Sequence, residues 1–165
     1  MILRGEEEIE LRPWQKSALV RSRREIDGIF LEALGGRGKT IATLAIIQEK
    51  KAERVLILNN KTAILNGWEK DAQELNLGYP VAFTVKTDKW LRSKANALRE
   101  AEKGLKTLRK KIGVRKLYRQ NPKYVELHEN VKQLKAELDY DVLVIDEWQD
   151  MCSEQTSRNY LLIER

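Results

Sequence analysis

The sequence predicts an α/β protein: a parallel sheet with helices on both faces, and an antiparallel helical hairpin inserted between strands. Three observations carry this expectation. Short, nearly continuous apolar runs recur as GIFLEAL (28–34), RVLIL (54–58), PVAFTV (80–85) and DVLVID (141–146), the pattern of strands buried on both faces. Helical patterns separate them, as in a βα order. Residues 88–140 interrupt that rhythm with two long amphipathic stretches.

Composition narrows the class further. The 165 residues are 42% hydrophobic and 34% charged, a mixture that suits one soluble domain with a core of its own. No apolar run approaches the ~18–20 residues that span a bilayer, and the opening MILRGEEEIEL is acidic where an export signal is basic and then apolar. An intracellular setting, cytoplasmic or nucleoid-associated, is expected. Cys152, the only cysteine, cannot close an intrachain disulfide, which suits a reducing compartment; without a base partner it reads as a packing residue. The net charge of +6 is unevenly placed, because residues 86–140 hold 16 Lys and Arg against 7 Asp and Glu, leaving −3 for the remainder. A nucleic-acid partner and a solvated helical face both account for such a segment.

Taken in chain order, the run GIFLEAL leads directly into ALGGRGKT (33–40), which leads into the helical IATLAIIQEK. Glycines cost a helix or strand interior up to about 1 kcal/mol each relative to alanine, so Gly35, Gly36 and Gly38 need another reason. Between a strand and a helix they let successive backbone N–H groups face an anion, with the positive helix end behind them. Lys39 then reaches the β and γ phosphates of a nucleotide such as ATP, and the Thr40 hydroxyl ligands Mg²⁺. Ala33 stands where the usual G-x-x-x-x-G-K-[ST] pattern has its first glycine. Arg37 within the loop either touches phosphate or faces solvent.

In the following helix Ile41, Leu44, Ala45 and Ile47 form the apolar side, and in TAILNGWEKDAQEL the residues Ile64, Trp68, Ala72 and Leu75 form one buried stripe. Leu91, Leu98, Leu105 and Ile112 then fall seven apart, with Ala101 and Leu108 between them. After Asn121-Pro122 the residues Tyr124, Leu127, Val131, Leu134 and Leu138 alternate by three and four. The two seams zip together, or part of either packs on the sheet. Arg109, Lys110, Lys111, Arg115, Lys116 and Arg119, with Tyr118, cluster near the hairpin tip, where they contact nucleic-acid phosphates or serve only solubility and helix pairing. His128 has no second His or Cys nearby and is expected at the surface rather than on a metal.

DVLVIDEWQD supplies what a phosphate cradle lacks. The strand delivers Asp146 and Glu147 to the carboxyl end of the sheet, about a hundred residues after the glycine loop and on the edge where that loop lies. Asp146 is placed to hold Mg²⁺ and Glu147 to orient and deprotonate the attacking water.

With these residues in view, the chain resembles the first RecA-like domain of superfamily 2 helicases and translocases. LRPWQ (11–15) is similar to the opening of the Swi/Snf-like branch, which implies that Gln15 reads adenine. ALGGRGKT resembles the A-x-x-G-x-G-K-T form of motif I. VLILNNKTAILNGWEKDAQEL (55–75) resembles the motif Ia region beside the nucleic-acid backbone, implying contacts from Lys61 and Thr62. VIDEWQD is similar to a D-E-x-Q motif II, and SRNYLLIE (157–164) to the helix after it. The likeness covers about residues 9–86 and 140–165, leaving the hairpin outside. A packaging motor is disfavoured by the LRPWQ opening.

Departures accompany the likeness. Asn59-Asn60 replaces the Cys-Pro turn of motif Ia, Trp148 the small residue of motif II, and Gln149, the coupling position, stands where histidine is common. Motif III and a second RecA-like domain with its arginine finger would follow Arg165. Such an arginine contributes on the order of 10³–10⁵ in rate, so the resemblance implies weak hydrolysis by this chain alone and a partner domain in cis or trans. The partner expected for the complete motor is nucleic acid, duplex DNA first. The competing expectation is a non-motor P-loop module whose basic hairpin docks a protein or nucleic-acid partner, independently of Lys39.

Overall fold

A computed structural model of the chain describes residues 2–4, 6–24, 31, 36–59, 61–113 and 120–146. Its centre is the strand β3 (Arg54–Leu58), whose Val55, Leu56, Ile57 and Leu58 are completely buried. Four consecutive apolar residues need cover on both faces and both edges, and a parallel sheet provides it. The neighbours of β3 are β5 (Ala82–Lys86) and β6 (Val142–Ile145), both parallel to it, in the order β5-β3-β6. Leu58 pairs with Lys86 on one side and with Ile145 on the other, so all three strands end level. The expected strand GIFLEAL lies outside the described residues, except for the half-buried Leu31.

Around this sheet stand α1 (Pro13–Ser22), α2 (Lys39–Lys50) and α3 (Thr62–Glu74). Leu44, Ala45 and Ile47 of α2 and Trp68 of α3 share one apolar cluster with Val55 and Ile57, and Ile41 and Ile64 pack against it. Only Lys51, Ala52 and Glu53 separate α2 from β3, so the helix runs back along the strand. Its 12 residues extend about 18 Å and the 5 of β3 about 16 Å, which brings the start of α2 to the carboxyl end of the sheet.

Leu75 departs from its expected place on α3. The helix ends at Glu74, and Leu75 opens the two-residue strand β4 (Leu75–Asn76), where it is still buried. The side chain of Ala72 lies outside the description. With β1 (Leu3–Arg4) and β2 (Glu7–Glu8), β4 makes a small antiparallel sheet in the order β2-β1-β4. Two-residue strands leave no period to detect, so this sheet has no signature in the sequence.

Residues up to Lys86 together with Asp141–Asp146 form one compact unit, and Thr87–Tyr140 belong to a second. The second holds α4 (Asp88–Ile112) and α5 (Pro122–Glu137). Each starts on a side-chain cap: Thr87 accepts from the Trp90 amide and Asn121 from the Tyr124 amide, with Pro122 preset at the first helical position. Leu98, Ala101, Leu105, Tyr124, Val131 and Leu134 form their shared core, joined at its margin by Leu108, Ile112, Leu127 and Leu138. Early residues of α4 meet late residues of α5, as in the ion pairs Lys94–Glu137 and Glu102–Lys135. Their axes are therefore antiparallel.

Candidate functional site

The glycine loop is held from the side of α1. Pro13 starts that helix, and Gln15, two residues on, turns its side chain back so that Oε1 accepts the Arg12 amide at 2.7 Å. The other end of the same side chain, Nε2, donates to the Gly38 carbonyl at 2.8 Å, and Arg12 Nη1 donates to the Arg37 carbonyl at 3.3 Å. A trans peptide sets each carbonyl opposite the next N–H. Tying the carbonyls of Arg37 and Gly38 to α1 thus turns the N–H groups of Gly38 and Lys39 away from it, to the far side of the loop.

Gly38 is the residue before the helix and takes φ +85, a left-handed conformation that side chains rarely adopt. A Cβ there would also sit 2.8 Å from Gln15 Nε2. Glycine is demanded twice. Gly36, at φ +70, has open space where its side chain would be. Gly38, the N-cap of α2, makes no side-chain cap and no acidic residue occupies the first turn, so the positive dipole end there favours an anion. Lys39 and Thr40 open the helix and are half-buried; Arg37 is exposed.

At the level carboxyl end of the sheet, the Asp146 amide donates to the Leu58 carbonyl at 3.0 Å, continuing the ladder one step past β6. Its carboxylate Oδ2 accepts from Trp68 Nε1 at 2.8 Å. Nearby, Asn59 closes the turn into α3 by accepting the Lys61 amide on Oδ1 at 2.7 Å. The bond is an Asx turn, formed by the side chain of Asn59 on the backbone two residues on. Lys61 is exposed at the N-cap of α3 and Thr62 is its first residue, with its side chain outside the description.

The residue types suit a nucleotide and its metal. Uncapped N–H donors ahead of a lysine match phosphate oxygens, while a hydroxyl and a carboxylate are the hard oxygen donors that Mg²⁺ selects. Among the described residues no cluster of His, Cys, Asp or Glu forms a separate metal site, and no helix is long and apolar enough to cross a membrane. His128, half-exposed, stacks on the Tyr124 ring with centroids 6.0 Å apart. Gly35, Arg115, Lys116, Tyr118, Arg119, Glu147, Trp148, Gln149 and Cys152 lie outside the described residues.

Two expected roles meet a different environment. Gln15 was expected to face adenine, yet it is 3% exposed and bound at both ends to protein, where it braces the loop. Arg109 was grouped with phosphate-contacting cations, but its Nε and Nη2 donate to Tyr124 Oη at 3.2 and 3.0 Å across the helix pair. Lys110 and Lys111 beside it are exposed. The Trp68 contact to Asp146 has no signature in the sequence, because a tryptophan on an apolar stripe carries no sign of where its N–H points.

The family model of the type III restriction enzyme res subunit matches residues 8–159, more than nine-tenths of the chain. Neither the curated proteins nor the solved structures yield a match. The matched span runs through the glycine loop, the parallel sheet and the acidic end of β6, and the layout is that of a RecA-like domain. The chain belongs to the type III restriction enzyme res subunit family, whose members are helicase-like ATP-hydrolysing domains.

Proposed function

We propose that the chain forms one half of the ATP site of a nucleic-acid translocase or helicase, acting on duplex DNA and close to the Swi/Snf-like branch of superfamily 2. The observation that carries this reading is the bracing of the loop by Arg12 and Gln15, which presents N–H donors ahead of Lys39. Lys39 and the loop amides from Gly35 to Gly38 bind the phosphates, and Arg37, exposed on the loop, lies within their reach. Gln15 offers adenine its second amide hydrogen. Thr40 and Asp146 hold Mg²⁺, which neutralises phosphate charge when bound. Glu147 orients the attacking water and takes its proton, and Gln149 couples the site to a second RecA-like domain in cis or trans that supplies an arginine.

Lys61 and Thr62 contact a nucleic-acid backbone at the start of α3. Arg109, Lys110, Lys111, Arg115 and Lys116 offer phosphate contacts of their own on the basic helix pair. The alternative, a non-motor module docking a partner through this pair, draws on the core that α4 and α5 share without the sheet. Equilibrium binding of ATP, followed with and without duplex DNA, separates the two. In the motor reading Lys39→Ala weakens ATP binding roughly 10- to 100-fold, the value of one or two charge-assisted contacts, and Glu147→Gln binds ATP but does not turn it over. Unchanged binding in Lys39→Ala overturns the ATP site, and partner binding that survives the same change supports the docking module.

A further inference from the structure

One buried polar contact in the sheet unit is not accounted for by phosphate or metal binding. Trp68 lies in the middle of α3, is 5% exposed and belongs to the apolar cluster against β3. A buried indole N–H needs an acceptor, and backbone carbonyls are the common supply. Here the acceptor is Oδ2 of Asp146, 78 residues away in the chain, at 2.8 Å.

A neutral donor on a carboxylate makes a charge-assisted bond without cancelling the charge. It therefore holds the group in one orientation without placing a competing positive charge beside it. The donor itself is immobilised, since its ring is packed among apolar side chains. We propose that Trp68 is a positioning residue that sets the carboxylate of Asp146 for Mg²⁺; the inference rests on the ATP-site reading above. Hydrogen bonds that orient a metal ligand are worth roughly 10- to 100-fold in metal affinity.

The test titrates Mg²⁺ into the 165-residue chain with a fluorescent ADP as probe, in the unaltered protein, Trp68→Phe, Lys39→Ala and Leu77→Ala. Trp68→Phe is expected to raise the Mg²⁺ midpoint about 10-fold or more while leaving ADP affinity in EDTA unchanged. Leu77→Ala, a loss from the same apolar cluster, lowers the melting temperature without moving that midpoint. An unmoved midpoint in Trp68→Phe, with binding still dependent on Lys39, overturns the positioning role and spares the ATP site. Binding that does not depend on Lys39 overturns both. A second reading does not require the Trp68 variant to fold: the indole N–H resonance of Trp68 in the unaltered protein should shift when Mg²⁺ joins ADP, and move upfield in Asp146→Ala. A resonance unmoved by either change overturns the proposal.

Discussion

In the sheet unit the residues that touch are far apart in the chain. Gln15 meets Gly38, Trp68 meets Asp146, and the Asp141 carboxylate accepts the amides of Glu53 and Arg54 at 2.8 and 2.9 Å. In the helix pair the contacts open outward from the turn in steady steps: Arg109 with Tyr124, Gly104 beside Leu127, Glu102 with Lys135, Lys94 with Glu137. A hairpin of helices needs only two matching seams and a turn, so its register follows from local pattern. The site residues of the sheet unit are assembled by strand order, which no local pattern states.

That contrast is open to attack, most forcefully at β3. Ile57→Ala removes a completely buried side chain from the central strand and should cost about 2–5 kcal/mol, read by urea denaturation. Amide protection in α4 and α5, followed by hydrogen exchange, should suffer less than protection in β3, β5 and β6. Equal losses would mean that the two units share one cooperative transition.

The converse change is Leu105→Ala, in the core of the helix pair. Its cost should sit near the lower end of the same range, about 2 kcal/mol, because the pair has a thin core with a solvated margin. ATP affinity should stay as it was; a parallel loss would break the distinction between the units.

Gly38→Ala sharpens the account of the loop. The left-handed backbone alone costs roughly 1–2 kcal/mol, or about 5- to 30-fold in nucleotide affinity if it is relieved by moving the loop. The added Cβ would also press on Gln15 Nε2, so pairing it with Gln15→Ala should hurt less than the two effects added, and isothermal titration of the four proteins measures the difference.

The smallest effect is expected at Asp141. The backbone amides of Arg54 and Glu53 lower its pKa, outweighing a slight opposing contribution from burial. A depressed carboxylate stabilises the folded state above its ordinary pKa of about 4, and that contribution fades as the pH falls through the lowered value. Since the group is exposed, Asp141→Ala should cost less than about 1 kcal/mol at neutral pH and flatten the acid limb of the stability profile, as thermal melts across pH 2–7 would record.

Much of this was legible in advance. RVLIL became β3, the central VLVI of DVLVID became β6, and PVAFTV became β5 displaced to Ala82–Lys86, because continuous apolar runs leave a strand little choice of burial. The glycine loop announced itself through positions that only glycine tolerates, and Gly38 meets that demand. What pattern reading misplaced or missed depends on partners distant in sequence. Leu75 stays buried in a strand instead of a helix, since burial does not specify which element delivers it. For Gln15, no local pattern shows that its side chain also bonds the Gly38 carbonyl, 23 residues on.

By itself the sequence determined that this chain is a parallel α/β protein with a glycine-rich loop, an acidic strand end and a pair of amphipathic helices. Periodicity, glycine and apolar runs act through local backbone preference and burial, which each segment carries with it. Tertiary structure decided how the loop carbonyls are held from the side of α1, and that Trp68 grips the carboxylate at the end of β6. A hydrogen bond is defined by position and direction at once, and residues 78 apart acquire both only when β6 is laid beside β3.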